Sequence, residues 1–88
     1  MKKYLEKYKK FIGKTCIYYP KYFDGPFIIK FTRLDKVEDE CYIHFIIMKG
    51  DYMYVNKNDK YNWRVDRLED GSKKFRVLKK DEIMMEML

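Results

Sequence analysis

The chain has 88 residues, with 20 Lys or Arg against 14 Asp or Glu and a net charge of +6. That is room for one domain over residues 1–88, whose core has to come from large side chains because small domains bury little of their surface. Nine Tyr, six Phe and one Trp supply them, Ala and Gln are absent, and Ser occurs only at Ser72.

Several classes drop out at once. Two cysteines are too few for a disulfide scaffold, and no apolar run approaches the ~18 residues of a membrane span. After Met1-Lys2-Lys3, lysines alternate with apolar residues, so no hydrophobic stretch of a signal peptide follows. A reduced, cytoplasmic protein of a bacterial or archaeal host cell is expected. A positive domain is drawn to polyanions such as nucleic acid, anionic lipid or an acidic protein face, although lysine-rich chains are also often merely soluble.

Tyr4, Leu5, Tyr8, Phe11 and Ile12 fall on one face of an amphipathic helix, lysines take the rest, and Gly13 is placed to end it. This helix is expected to cover a sheet rather than lie on a membrane. Beyond Gly13 the period changes to two. Strands are predicted over 15–19, 27–34, 41–48 and 52–56, with the acidic run 35–40 as a hairpin connection. The continuously apolar 41–48 reads as a central strand covered on both faces.

Residues 60–78 read as a β-hairpin with Glu69, Asp70 and Gly71 in its loop. That register sets Val65 opposite Phe75 and Trp63 opposite Val77. On its polar face Asp66 meets Lys74, and Arg64 meets Arg76. A short helix from Asp81 closes the chain, with Ile83, Met84, Met87 and Leu88 as an apolar stripe able to meet the sheet or a second copy. The fold class is α+β: an N-terminal helix, a five- or six-stranded antiparallel curved sheet or small SH3-like barrel, and a C-terminal helix.

Catalysis has no visible machinery. Cys41 and His44 are three apart, so a strand points them to opposite faces and they cannot share a metal ion. The single histidine has no glycine-rich elbow or oxyanion loop near it, and no phosphate-cradling glycine motif occurs. Cys16 and Cys41 are expected to be buried and inert, with a disulfide between them as the alternative. No metal, cofactor or small-molecule substrate is expected.

Binding is better represented. Residues 18–27 hold five aromatic residues among two prolines and a glycine, a turn-rich pattern. Aromatics there either fold back into the core or wait for a partner, and Tyr offers much contact area for little entropy. The Arg64–Arg76 juxtaposition repels itself unless an anion, a partner carboxylate or a local Asp or Glu answers it.

Two functions compete. One is a protein-binding module using Tyr19, Lys21, Tyr22, Phe23, Arg64, Lys74 and Arg76. The other is a single-stranded nucleic-acid-binding barrel in which Tyr52 and Tyr54 stack bases while Lys21, Lys30, Arg64 and Arg76 follow phosphates. The Lys, Tyr, Ile, Phe, Asp, Asn and Met vocabulary is similar to that of an AT-rich genome and resembles the short accessory proteins of phages and mobile elements. That resemblance implies a non-catalytic inhibitor of a host or defence protein, acting by surface occlusion.

Overall fold

The structure is a computed structural model that describes residues 2–21, 25–50 and 54–88. The elements in order are α1 (Lys2–Lys9), β1 (Thr15–Tyr19), β2 (Phe27–Val37) and β3 (Glu40–Lys49). Then come β4 (Lys60–Arg64), α2 (Val65–Glu69), β5 (Lys74–Val77) and α3 (Lys80–Glu86). The class is α+β, with one antiparallel five-stranded sheet in the order β4-β3-β2-β1-β5.

The sheet is curved but not closed, so the barrel is not formed. Its inner face carries Cys16, Ile29, Phe31, Ile43, Phe45 and Ile47, all buried. Phe31 is fully buried, with Phe75 at 5.4 Å, Trp63 at 5.9 Å, Phe45 at 6.1 Å and Phe11 at 6.2 Å between ring centroids. Each such side chain taken out of water contributes about 1.5–3 kcal/mol. Curvature brings the two edges of the sheet together across this face, where Trp63 on β4 lies 4.7 Å from Tyr18 on β1 and 6.3 Å from Phe75 on β5.

Helix α1 lays Tyr4, Leu5 and Tyr8 on the inner core, and Phe11 and Ile12 follow from the turn after it. Gly13, at φ 84°, then turns the chain so that its N–H donates to the Phe31 carbonyl at 2.8 Å, which docks the helix exit onto β2. The predicted apolar stripe is buried, but the helix ends at Lys9, so that Phe11 and Ile12 complete it from the turn.

On the outer face, Ile17, Ile28 and Leu78 form a second small core with Met48 and, from α3, Ile83 and Met87. The covering of β3 on both faces therefore holds at its Met48 end and not at His44. Helix α3 begins one residue before the expected Asp81, and Glu82 accepts the Lys79 N–H at 3.1 Å. The expected stripe on α3 is split, because Met84 and Leu88 are exposed while Ile83 and Met87 face the sheet.

The hairpin over 60–78 does not form. β4 pairs with β3, setting Trp63 opposite Ile43, and β5 pairs with β1, setting Phe75 opposite Tyr18. Between them Val65 and Leu68 pack into the inner core from α2, a helical turn where the sequence pattern predicts strand. The 35–40 connection is also shorter than expected: β2 and β3 run on until only Glu38 and Asp39 turn between Val37 and Glu40. Of the predicted 52–56 strand, Tyr54–Asn56 contain only an isolated bridge at Val55; Tyr52 lies outside the described residues, as do Tyr22 and Phe23.

Candidate binding surface

Four residues singled out from sequence share one end of the sheet, by a route the sequence reading did not foresee. The β1–β5 pairing places Tyr19 directly opposite Lys74 and Ile17 opposite Arg76. Lys21 follows two residues after β1. Tyr19, Lys21 and Lys74 line an opening of about 300 Å³ together with Gly71 and Ser72. Tyr19 is 50% exposed.

The loop that presents Lys73 and Lys74 is fixed from within. Asp70 accepts the Ser72 N–H at 2.8 Å, and the Ser72 hydroxyl donates to the Arg67 carbonyl at 3.0 Å. The Ser72 N–H first, and the Ser72 side chain second, hold the Asp70 carboxyl below the usual carboxylate range. Gly71 at φ 76° supplies the left-handed residue that ends α2.

At the same end of the sheet, on its inner face, lies an aromatic opening of about 250 Å³, bounded by Tyr18, Phe27, Phe45, Tyr61 and Trp63. The Lys73 ammonium stands 5.7 Å from the Trp63 ring centroid, a cation–π contact at its mouth. Burial pushes the Tyr18 phenol above its ordinary pKa, and burial followed by the nearby Asp59 does the same for Tyr61. Both therefore stay neutral hydrogen-bonding groups at physiological pH.

Arg76 and Arg64 are not opposed. Arg76 is gripped by both oxygens of Glu82, at 2.8 and 3.1 Å, and also bonds Tyr19. The Lys79 N–H first, and Arg76 second, hold the Glu82 carboxyl low. Arg64 sits at the far edge of the sheet, 2.8 Å from Asp66 and 3.4 Å from Glu40. Of the expected alternatives, local carboxylates are the ones that answer both guanidinium groups, and Arg64 lies apart from Tyr19, Lys21 and Lys74. Helix α3, through Glu82, instead braces the β5 edge that carries Lys74.

The nucleic-acid set is scattered. Lys30 projects from the outer face of β2, Tyr54 is exposed in the segment before β4, and Arg64 and Arg76 occupy opposite edges. The structure adds an outer-face cleft of about 520 Å³ between β2, β3 and β4, reached by Arg33, His44, Lys60 and Asn62. Alternation along 41–48 was the signal for His44 in it, since Ile43 and Phe45 point inward. The cleft's shape depends on a bulge at Thr32, for which the sequence gives no sign.

Cys16 and Cys41 are both free and buried. Burial pushes the Cys16 thiol up to about 11, far from a thiolate at neutral pH. His44 lies on the opposite face from Cys41, with its Nε2 3.6 Å from Asp35. No helix among the described residues is long and apolar enough to cross a membrane. Comparison with protein-family models, curated proteins and solved structures finds no match to this chain.

Proposed function

We propose that this chain is a small non-catalytic binding protein that inhibits a host or defence protein by covering an acidic functional surface. The accessory proteins of phages and mobile elements, which its composition resembles, supply the biological setting, in the cytoplasm of a bacterial or archaeal cell. A nucleic-acid enzyme, whose substrate cleft is often flanked by carboxylates that hold metal ions, is one such target. The observation that carries the reading is the aromatic opening at Tyr18, Tyr61 and Trp63 with Lys73 at its mouth, at the same end of the sheet as the cationic rim of Tyr19, Lys21 and Lys74. Tyr19 and Lys74, paired at one sheet edge, are the chain neighbours of Tyr18 and Lys73. Apolar rings in a central hollow bordered by polar and charged side chains is how protein interfaces concentrate their binding energy.

In this reading the aromatic opening receives an apolar anchor of the partner. Lys74, which has no ion-pair partner among the described residues, meets a partner carboxylate. Tyr19 contributes contact area and a hydroxyl. The test is capture from an extract of the natural host, using the wild-type chain and a Tyr19→Ala, Lys74→Glu variant as baits after nuclease treatment. A host protein held by the wild type and lost from the variant, at unchanged melting temperature, is expected. Identical capture by both baits refutes the proposed surface.

A further inference from the structure

The outer face of the sheet offers a second site, made of different residues. Across three strands Lys60, Ile46 and Lys30 form one row, and Asn62, His44 and Arg33 form the next. Rows in a sheet lie about 7 Å apart along the strand and neighbouring strands about 4.8 Å apart, so these cations share a small patch. Helix α3 covers the Ile17–Ile28–Met48 part of this face and leaves the two rows open.

The cleft between the rows, about 520 Å³, is rich in donors. Lys30 and Lys60 are exposed and have no hydrogen-bond or ion-pair partner among the described residues. Arg33 has a 3.4 Å contact to Asp35, an exposed pair of little strength that leaves most of its N–H groups unused. Thr32 is the extra residue of a β-bulge, and its hydroxyl donates to the His44 carbonyl at 3.3 Å. A bulge bends its strand and sharpens the twist, which here hollows the face.

We propose that this cleft binds the phosphodiester backbone of a single-stranded nucleic acid. Charge complementarity comes from Arg33 and Lys60 in the cleft and from Lys30 in the row beside it, across Ile46 from Lys60, with Asn62 as a neutral donor. The single-stranded form is favoured by Tyr61, which lines this cleft and also the aromatic opening on the other side of β4. A strand following the cations would carry its bases over the β4 edge toward exposed aromatic surface, the combination of positive groove and stacking rings used by single-strand binders. The site is independent of the protein-binding rim at Tyr19 and Lys74.

Fluorescence anisotropy with a labelled oligo(dT) strand and with its duplex tests this. Three phosphate contacts on a single strand give a log–log salt slope of about −2, so affinity falls about twentyfold between roughly 50 and 200 mM salt. Lys30→Glu with Lys60→Glu should reduce affinity at low salt by at least about tenfold and flatten the slope to about −0.7. The Tyr19→Ala, Lys74→Glu variant should leave both unchanged, which separates failure of this site from failure of the rim. Both lysines are exposed, so the melting temperature reports whether the reversed variant is folded, and Lys30→Gln with Lys60→Gln serves as the milder version. Absence of binding at low salt, equal affinity for the duplex, or full affinity in a folded Lys30/Lys60 variant overturns the proposal. So does equally effective competition by polyglutamate.

Discussion

Trp63 joins the two edges of the sheet, and replacing it with alanine separates the observed fold from the hairpin that the sequence suggests. Its ring lies 4.4 Å from Phe45, 4.7 Å from Tyr18 and 5.9 Å from Phe31, yet it keeps some exposure at the aromatic opening. Truncating a buried Trp costs about 3–5 kcal/mol, and partial exposure puts this one near 3. A domain of this length has only about 4–13 kcal/mol of stability, so Trp63→Ala should lower the melting temperature by about 12–24 °C.

The more discriminating part is the pairwise coupling. A double-mutant cycle between Trp63→Ala and Tyr18→Ala should show about 0.5–1.5 kcal/mol of coupling, the worth of an edge-on aromatic pair. The same cycle with Val77→Ala, the neighbour of Trp63 in the hairpin register, should stay within about 0.5 kcal/mol of additivity. Urea unfolding followed by far-ultraviolet circular dichroism measures all of these, since the variant lacks the only tryptophan. Coupling to Val77 and none to Tyr18 would refute the curled sheet.

Other consequences are smaller. The Tyr8 phenol is pushed up to about 12, first by burial and then by its hydrogen bond to Glu69. The folded state keeps this proton where the unfolded chain loses it, so its contribution is whole below about pH 10 and drains away toward pH 12, by roughly 2–3 kcal/mol. Tyr8→Phe should flatten the fall in urea midpoint over that alkaline window, and an unchanged slope contradicts the assignment. Cys16, fully buried, should react with a thiol reagent only at the rate of unfolding, and rapid labelling in native buffer would show that the inner core is open. Glu38 holds φ 58° in the two-residue turn between β2 and β3, so Glu38→Gly should raise stability by up to about 1 kcal/mol. A loss of stability there would mean that the Glu38 side chain makes a contact worth more than the strain.

Period and punctuation made much of this fold legible. The stripe of Tyr4, Leu5, Tyr8, Phe11 and Ile12 announced α1, which ends at Lys9; β-forming residues announced β1, alternation β2, which runs three residues further than expected, and a continuous apolar run β3. What failed was pairing at long range. Asp70-Gly71 is a true turn, but it releases the chain from α2 instead of folding β4 back on β5. The missed signal was Val65 with Leu68: three apart, they share a face in a helix and not in a strand. The hairpin also satisfied the local apolar pattern, whereas the observed pairing buries Trp63 and Phe75 against Phe31 in one core, a gain visible only once β1 is beside β5.

The candidate surface was half legible for the same reason. Tyr19, Lys21, Lys74 and Arg76 were recognisable by type, and the topology that gathers them was not. Arg64 looked like a partner of Arg76 only because the two strands were drawn as neighbours. The outer cleft was hidden because the bulge at Thr32 breaks the register without a glycine or proline to announce it.

The placement of β5 against β1 decides whether Tyr19, Lys21 and Lys74 form a surface at all. The Leu78 N–H bonds the Thr15 carbonyl at 2.9 Å, so alternation along the ladder makes Tyr18 and Phe75 a pair without hydrogen bonds between them. In such pairs the Cα atoms approach to about 4.5 Å. A nuclear Overhauser spectrum of the labelled protein should therefore show a strong Hα–Hα cross-peak between Tyr18 and Phe75. A cross-peak between Val65 and Phe75 in its place would restore the hairpin and dissolve the surface.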